Sequence, residues 1–408
     1  MKLSTGRWVS GNNFFNREPE LRVLETRVLE GNHTLLTGQR RMGKTSIARE
    51  LGRCLEQKGW TFLFADVEDA ACPEDFLADI VKAAHPVRSI AARIADTMRR
   101  WFSENVEEVS ASEFRVKFRA GLDAGNWRRH GEEIIRNLAE HDQPVLLVID
   151  ELPIFLKRML LHEDGAARVE EFLSWLRSVV QGFDNRSPVL IVSGSIGLVP
   201  LVRRLRIADR VNHLDPFRLG PWSREISVAC FERLARSNGL QTEDGVPQAV
   251  FDTLGLGIPH HVQTFFARLR EFALMQGHNR VMVADVETVY RTSLLGPAGQ
   301  NDLVHYETRL KDGLDDEGFS MAMEILAEAS TQDMFTPAAR RCLEQLYAKT
   351  VDDARGCIAD ALEVLIHDGY LETGDQGHAF PSRLLKDWLA ARFRDHHAPL
   401  ESRVSADT

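Results

Sequence analysis

The segment that most constrains the fold is "TLLTGQRRMGKTSIAREL", residues 34–51. An apolar strand leads into a loop bounded by Gly38 and Gly43, and an amphipathic helix begins at Lys44 and Thr45. This is the GxxxxGK[ST] spacing in its proper context, with a strand before it and a helix after it. Such a loop points successive backbone N–H groups at phosphates, and the positive end of the helix adds to the attraction. The sequence therefore predicts an α/β fold with a phosphate-binding loop.

The loop and the first helical turn contain most of the residues expected to contact a nucleotide. Lys44 is expected to reach the β- and γ-phosphates, and Thr45 is expected to hold Mg²⁺. The other nucleotide contacts are assigned to neighbours in the same segment: Gly38, Arg41, Met42, Gly43 and Ser46. ATP and Mg²⁺ are the predicted cofactors.

A second apolar run, "QPVLLVIDELP", ends at Asp150 and Glu151. The run is typical of a buried central strand with carboxylates at its C-terminal end. Asp150 is expected to bind Mg²⁺, and Glu151 is expected to polarise the water that attacks the γ-phosphate. An acidic pair in this position also occurs as a simple helix cap, which is the alternative.

A third apolar run, "SPVLIVSGS", ends at Ser193 and Ser195 and is separated from the second by an amphipathic helix over "AARVEEFLSWLRSVVQ". Strands that alternate with helices predict a parallel sheet. Either serine could then approach the γ-phosphate or the attacking water, and Ser193 is the favoured candidate. The alternative is that both are small residues in a tight exit from the strand.

The segment "RRLRIADR" supplies four arginines, Arg203, Arg204, Arg206 and Arg210. A guanidinium is suited to stabilising the charge that spreads over a transferring phosphoryl group. One of the four is therefore a candidate arginine finger. A solvated helix face would carry the same residues without any catalytic role.

Composition limits the kinds of partner and compartment. Fifty basic against sixty acidic residues give a net charge of −10, so the chain lacks the positive excess of a protein that coats nucleic acid. Five scattered cysteines without a CxxC pair indicate a reducing compartment. No apolar segment resembles a signal peptide or a membrane span, and we expect a cytoplasmic protein. The adjacent histidines at 260–261 and 396–397 lack partners at zinc spacing.

The pattern along the chain predicts three domains: a P-loop core over 1–220, a helical lid over 221–312 and a winged helix over 319–400. Within the core, "VSASEFRVKFRAG" alternates enough to predict a short hairpin or strand. The polar stretch "LKDGLDDEGFS", residues 310–320, is predicted to be a linker. Beyond it the sequence predicts three helices, two short strands and a last helix.

The motifs "FFNREPELRVLE", "GQRRMGKTS", "LLVIDE", "VSGS", "DRVNHLDPF" and "GIPHHVQ" occur in the order found in AAA+-related STAND-type P-loop ATPases. The sequence is most similar to the archaeal-type ATPase family, over nearly its whole length. That resemblance implies ATP binding, Mg²⁺-dependent hydrolysis and a C-terminal winged helix. It also implies that effector or sensor modules would be separate chains.

The resemblance assigns further site residues by position in its motifs. Arg17 and Glu18 correspond to the family's "RE" pair near the nucleotide base, although Asn16 stands where the family usually has glycine. Pro259, in the Gly-x-Pro motif of the lid, corresponds to a proline close to the base. Arg210 corresponds to the family's arginine before the strand that leads to the lid, which makes it the first choice for a γ-phosphate sensor or finger.

The resemblance to a winged helix raises the question of DNA binding. From residue 321 to 408 there are fifteen Asp or Glu and nine Lys or Arg, a net charge of −6. The helix predicted to face DNA, over "VDDARGCIADALEVLIHDG", carries five acids and one arginine. Because DNA binding depends on Lys and Arg replacing counterions on phosphates, this surface is expected to face protein instead.

These features favour a nucleotide-dependent molecular switch that hydrolyses ATP slowly and controls a partner protein, with a role in prokaryotic antiviral defence compatible with the resemblance. The partner would be an effector or a sensor, and assembly into homo-oligomers is compatible with the family. The alternative is a DNA-acting AAA+ ATPase similar to origin-recognition or transposition-regulator proteins. A scaffold without catalysis is disfavoured because Lys44, Thr45, Asp150 and Glu151 are all present.

Overall fold

The structure is a computed structural model that describes residues 1–102, 110–183, 188–194 and 197–406. Its chain packs into two compact units. We call the first the core unit; it contains Val9–Thr37 and Lys44–Arg218. The second, the C-terminal unit, contains Met1–Trp8, Gly38–Gly43 and the chain from Leu219 onward.

The core unit is built on a parallel sheet, as the alternation of strands and helices predicts. Its described strands, in chain order, are β1 (Thr34–Thr37), β2 (Thr61–Asp66), β3 (Val145–Asp150), β4 (Val189–Ser193) and β5 (Asp215–Arg218). Their order across the sheet is β2-β3-β4-β1-β5, and every neighbouring pair is parallel. All five carboxyl ends therefore lie along one edge, where a phosphate-binding loop is expected.

Helices cover the sheet of the core unit. They are α1 (Glu18–Leu29), α2 (Lys44–Glu56), α3 (Pro73–Ala84), α4 (Arg88–Phe102), α5 (Ala111–Ala120), α6 (Trp127–Ala139), α7 (Leu152–Leu160), α8 (Gly165–Gln181) and α9 (Leu198–Arg204). The interior strand β3 is buried along its whole length, which explains its uninterrupted apolar sequence.

Aromatic side chains from three of these helices pack together in the core. The ring centroids of Phe76 and Phe172 are 4.9 Å apart, and those of Phe155 and Phe172 are 5.0 Å apart. Helix α2 lies close to β2, where a Cβ atom on Gly52 would be 2.5 Å from the ring of Phe62. A larger residue at position 52 would push α2 away from the sheet.

The prediction of a hairpin or strand at residues 109–121 is wrong. The described part of this stretch forms α5, whose first turn is fixed by a capping box between Ser110 and Glu113. Phe114 and Phe118, four residues apart, are both buried on one side of the helix. Alternation along the segment was therefore a weaker signal than the cap and the i, i+4 aromatic pair.

The first part of the C-terminal unit is helical, as the sequence predicts for a lid. Its elements are α10 (Arg224–Ser237), α11 (Val246–Leu254), α12 (Pro259–Met275), α13 (Val283–Val289) and the short parallel strands β6 (Gln241–Thr242) and β7 (Arg280–Val281). Ser223 caps α10, since its hydroxyl accepts a hydrogen bond from the backbone N–H of Ile226 at 3.4 Å. A π-helical turn over Tyr290–Leu294 follows α13.

The second part contains three helices followed by a short hairpin, in the order that the sequence predicts. After α14 (Pro297–Gly313) come α15 (Asp316–Thr331), α16 (Pro337–Tyr347), α17 (Ala354–His367), the antiparallel strands β8 (Glu372–Gly374) and β9 (Gly377–Ala379), α18 (Arg383–Phe393) and α19 (Leu400–Ala406). The predicted linker at 310–320 is wrong, because α14 runs to Gly313 and α15 begins at Asp316. Asp315 caps α15 by accepting from the N–H of Gly318 at 2.8 Å.

Hydrogen bonds inside the C-terminal unit join its two helical parts. Tyr290 donates from its hydroxyl to Asp387 Oδ2 at 2.9 Å, and Tyr370 donates to the carbonyl of Tyr306 at 2.7 Å. The predicted domain limits at 220, 312 and 319 remain predictions. None of the described helices combines the length and apolar character needed to cross a membrane.

Candidate functional site

The backbone of the predicted phosphate-binding loop is held in unusual conformations. Gly38 has φ +146° and Gly43 has φ +92°, and a Cβ atom on Gly38 would lie only 2.5 Å from the carbonyl oxygen of Leu219. Both positions therefore require glycine, one for space and one for backbone conformation. Arg41 adopts φ +68°, which costs a non-glycine residue roughly 1–2 kcal/mol. Strain of this kind is often found at functional sites.

The loop residues make their described contacts within the C-terminal unit. The guanidinium of Arg41 contacts His260 Nε2 in the first turn of α12. The side chain of Gln39 packs on the backbone of Gly369, since a Cβ atom on that glycine would lie 3.1 Å from Gln39 Cβ. Gln39 is buried. The loop predicted to read phosphates is thus in contact with the lid helix α12 and with the segment that follows α17.

Within the core unit, the predicted magnesium residues come together at the carboxyl edge of the sheet. The Thr45 hydroxyl donates to Asp150 Oδ2 at 2.8 Å, and the Ser193 hydroxyl donates to Asp150 Oδ1. Asp150 is only 6% exposed and Ser193 is fully buried. The two hydroxyl groups therefore hold both oxygens of one carboxylate, and the roles predicted for these residues remain predictions.

Lys44 and Glu151 flank this arrangement in the chain. Lys44 opens α2 and is buried, at 8% exposed. Glu151 follows Asp150 and precedes α7 with φ +61°, a left-handed conformation that glutamate rarely adopts. The bend carries the chain sharply from β3 into α7. The role predicted for Glu151 in polarising water remains a prediction.

These side chains offer a suitable donor set for Mg²⁺. A hydroxyl oxygen and a carboxylate are hard ligands, which Mg²⁺ prefers when phosphate oxygens and water complete its coordination. Thr45 and Asp150 would hold the ion, and their 2.8 Å hydrogen bond already brings the two oxygens together. Elsewhere in the described part of the chain, no group of three or more His, Cys, Asp or Glu is arranged to hold a metal.

The N-terminal segment is bonded to the first turns of α2. The hydroxyl of Ser46 accepts from the backbone N–H of Val9 at 3.1 Å, and the buried carboxylate of Glu50 accepts from the N–H of Gly11 at 2.6 Å. Glu50 also bonds Arg53, and the pKa of Glu50 is lowered because these two hydrogen bonds outweigh the effect of burial. The side chain of Ser46 therefore has a described structural role besides its predicted nucleotide contact.

The "RE" motif forms a tight turn at the start of α1. Asn16 and Arg17 have φ values of +58° and +80°, so a glycine at position 16 would also fit this conformation. Arg17 is buried and donates to Glu20 Oε1 at 2.7 Å. Glu18 is exposed as the first residue of α1. The predicted contacts of Arg17 and Glu18 with the base remain predictions.

The Gly-x-Pro motif of the lid begins α12. Pro259 is the first residue of that helix and is buried. Gly257 pairs with Trp222, and a Cβ atom on it would lie 2.3 Å from the Trp222 carbonyl oxygen. His261 in the same turn is buried, which lowers its pKa, and its Nε2 lies 3.1 Å from the Tyr306 hydroxyl. The two adjacent histidines thus point to different partners.

Arg210, the first choice for an arginine finger, has partners inside the core unit. Its Nη2 donates to Glu170 Oε1 at 2.9 Å, and its Nη1 lies 3.1 Å from Asp209 Oδ2. The hydrogen bond with Glu170 and the charge of Asp209 raise the pKa of Arg210. Arg206 is exposed and has φ +59°. The second serine candidate, Ser195, lies outside the described residues.

The acids on α17 do not all face solvent. Asp353 caps the helix by accepting from the N–H of Gly356 at 3.0 Å, and Asp368 is buried beside His367 at 3.0 Å. Asp352, Asp353 and Asp360 are exposed. The exposed charge of this helix is thus still acidic, although it comes from fewer residues than the sequence suggests.

Comparison with known proteins identifies the fold. No protein-family model and no curated protein sequence matches the chain. Among solved structures, the Walker-type ATPase paby2304 of Pyrococcus abyssi aligns with a TM-score of 0.61 and 16% identity over 95% of this chain and 99% of that one. The fold is that of a P-loop ATPase. The strand order and the strand, loop and helix around Gly38 and Gly43 belong to this fold.

Two further solved structures were compared with this P-loop ATPase fold. The ORC2 protein of Aeropyrum pernix, in ADPNP–ADP complexes, has a TM-score of 0.55 and 13% identity over 97% of this chain and 98% of that one. The ORC1 protein of the same organism in complex with DNA covers 97% of this chain and 95% of its own, with 14% identity and a TM-score of 0.44.

Sequence reasoning missed the residues that contact the predicted loop. Neither His260 nor Gly369 was linked to the phosphate-binding segment, because each lies more than 200 positions away from it. One signal was available. His260 directly follows Pro259, which the lid motif already marks as a residue near the nucleotide.

Proposed function

We propose that this protein is an ATP-dependent molecular switch that binds ATP with Mg²⁺, hydrolyses it slowly and controls a partner protein through its C-terminal unit. The observation that carries the proposal is the set of contacts made by residues 38–43. Arg41 touches His260 of the lid, and Gln39 packs on Gly369 beyond α17. A change in the loop on nucleotide binding would therefore act directly on both segments.

The residues at the carboxyl edge would supply the chemistry. Mg²⁺, when bound, would neutralise negative charge on the phosphates. Thr45 and Asp150 would hold the ion, Lys44 would contact the phosphates, and Glu151 would orient and polarise the attacking water. Ser193 would fix the orientation of the Asp150 carboxylate, with which it shares a hydrogen bond.

The slow cycle suits a switch better than a metabolic role. Each nucleotide state would have its own arrangement of the loop, His260 and Gly369, and hydrolysis would return the protein to its resting arrangement. A role in prokaryotic antiviral defence is the extension that the family resemblance supports. The acidic exposed face of α17 supports a protein partner rather than DNA.

Two substitutions test the catalytic part of the proposal. Lys44→Ala is expected to weaken nucleotide binding and abolish hydrolysis, whereas Glu151→Gln is expected to keep binding and stall turnover. The reason is that only the second residue acts on the water. Nucleotide affinity from a fluorescent ATP analogue and phosphate release with and without EDTA provide the two readouts.

Matched controls separate these effects from general damage. Lys58→Ala removes a lysine just beyond α2, and Glu163→Gln removes an exposed carboxylate just beyond α7. Both should behave like the wild type. The catalytic assignment would be overturned by a Glu151→Gln protein that hydrolyses ATP at the wild-type rate.

A further inference from the structure

Arg49 occupies an unexpected position for a positive charge. It lies on α2 four residues after Thr45, so both side chains project from the same side of the helix. Its guanidinium carbon is 3.8 Å from the centroid of the Phe64 ring on β2. An arginine stacked on an aromatic ring is held in place more firmly than a lysine would be. Arg49 is therefore a fixed cation beside the predicted metal residues.

Two carboxylates end the neighbouring strands at this point. Asp66 closes β2 and Asp150 closes β3, and the two residues are paired in the sheet register. Adjacent strands lie about 4.8 Å apart, so two like charges stand close together. Burial lowers the pKa of Arg49, and the negative charges of Asp150 and Asp66 act against that shift. Both carboxylates are thus within electrostatic reach of the guanidinium.

We propose that Arg49 is a positioning residue that acts as a resident counter-cation for Asp66 and Asp150. Its charge makes the pair less attractive to a divalent ion while no nucleotide is bound. The phosphates of ATP would add the negative charge that outweighs Arg49 and allow Mg²⁺ to bind at Asp150. Divalent-ion binding would in this way be coupled to nucleotide binding, and the coupling must be reciprocal. This inference rests on the proposed nucleotide function.

The positive charge of Arg49 determines the direction in which its removal changes the affinity for a divalent ion. A fixed positive charge near a metal site repels the ion, and the repulsion is substantial because the site is partly shielded from water. Removal of Arg49 should therefore raise affinity for a divalent ion in the nucleotide-free protein by on the order of tenfold, with low salt giving the larger effect. A residue that only supports the fold would lower the affinity when removed.

Mn²⁺ is the probe, because electron paramagnetic resonance distinguishes free from bound Mn²⁺ without any need for activity. The whole chain is titrated with Mn²⁺, first without nucleotide and then with ADP. Without nucleotide, Arg49→Met is expected to bind Mn²⁺ about tenfold more tightly than the wild type. ADP should then raise the Mn²⁺ affinity of Arg49→Met less than it raises that of the wild type. Methionine keeps an apolar contact with the Phe64 ring. In the double variant Arg49→Met, Asp66→Asn, the gain in Mn²⁺ affinity should disappear.

Two controls sharpen the result. Arg49→Lys keeps the charge and should remain close to the wild type, and Arg53→Met removes an arginine one turn further along α2, where it pairs with Glu50 at 2.7 Å. Arg53→Met should leave Mn²⁺ affinity unchanged. Equal or weaker Mn²⁺ binding by Arg49→Met in the absence of nucleotide would overturn the proposal, as would an equal gain in Arg53→Met.

The nucleotide-free titration also separates this inference from the proposed function. If the wild type fails to bind a fluorescent ATP analogue, the proposed function fails, whatever the Mn²⁺ result. If ATP binds but Mn²⁺ affinity is insensitive to residue 49, only the role of Arg49 is wrong.

Discussion

The hydrogen bond between Ser193 and Asp150 leads to a prediction about stability. Ser193→Ala removes a buried donor and leaves one oxygen of a 6% exposed carboxylate without it. A hydrogen bond to a charged group contributes about 1.5–3 kcal/mol net. The core unit contains roughly 200 residues, for which 1 kcal/mol corresponds to about 2–4 °C in melting temperature. We therefore expect Ser193→Ala to lower the melting temperature of the core unit by about 3–12 °C.

The same sheet provides a matched control. Thr34 on β1 is fully buried, and its hydroxyl has no hydrogen-bond partner among the residues that the structure describes. Thr34→Val should therefore be neutral or stabilising, because it removes an unsatisfied polar atom and keeps the shape of the side chain. Thermal unfolding of nucleotide-free protein, followed by calorimetry, gives both values. Equal melting temperatures for Ser193→Ala, Thr34→Val and the wild type would refute the reasoning.

Three further predictions concern other parts of the chain. If Arg210 is an arginine finger, Arg210→Ala should lower ATP turnover about a thousandfold with little loss of nucleotide affinity. Equal losses of turnover in Arg210→Ala and Glu170→Gln would instead assign the effect to the ion pair between these residues. Replacing Asp352 and Asp360 by Lys should disturb the resting conformation or partner docking, seen as a changed proteolysis pattern. Wild-type binding to duplex DNA that weakens steeply with salt and depends on this helix would instead favour a DNA-acting ATPase. Burial lowers the pKa of His213 from its ordinary 6.5 to about 4. The free energy of unfolding should therefore fall as the pH drops from 6.5 towards 4. His213→Gln should reduce this loss of stability, measured by urea unfolding.

The sequence predicted the parallel sheet and the polar residues at its carboxyl edge because local patterns encode both. Apolar runs ending at Asp150 and Ser193 indicate buried strands, and parallel strands must end at one edge. Their order across the sheet, with β1 between β4 and β5, depends on contacts between distant segments and could not be obtained in this way. The strained backbone at Arg41 and Glu151 was equally hidden, since neither residue type favours a left-handed conformation.

The errors in secondary structure have a common physical origin. Alternation at residues 109–121 predicts a hairpin or strand, and the polar stretch at 310–320 predicts a linker. Ser110 and Asp315 are in fact helix caps, which satisfy backbone N–H groups at the starts of α5 and α15. A cap and a loop use the same residue types, and only the apolar spacing that follows distinguishes them.

In the proposed switch, nucleotide binding at the P-loop changes the conformation of the C-terminal unit. The most direct test of this change is hydrogen–deuterium exchange of the whole chain, with and without ATP and Mg²⁺. The account predicts altered exchange at residues 258–264 and 366–371, which contain His260 and Gly369, and no such change in Lys44→Ala. If the wild type binds ATP while exchange changes only within residues 34–56, the loop does not communicate with the C-terminal unit and the switch is contradicted.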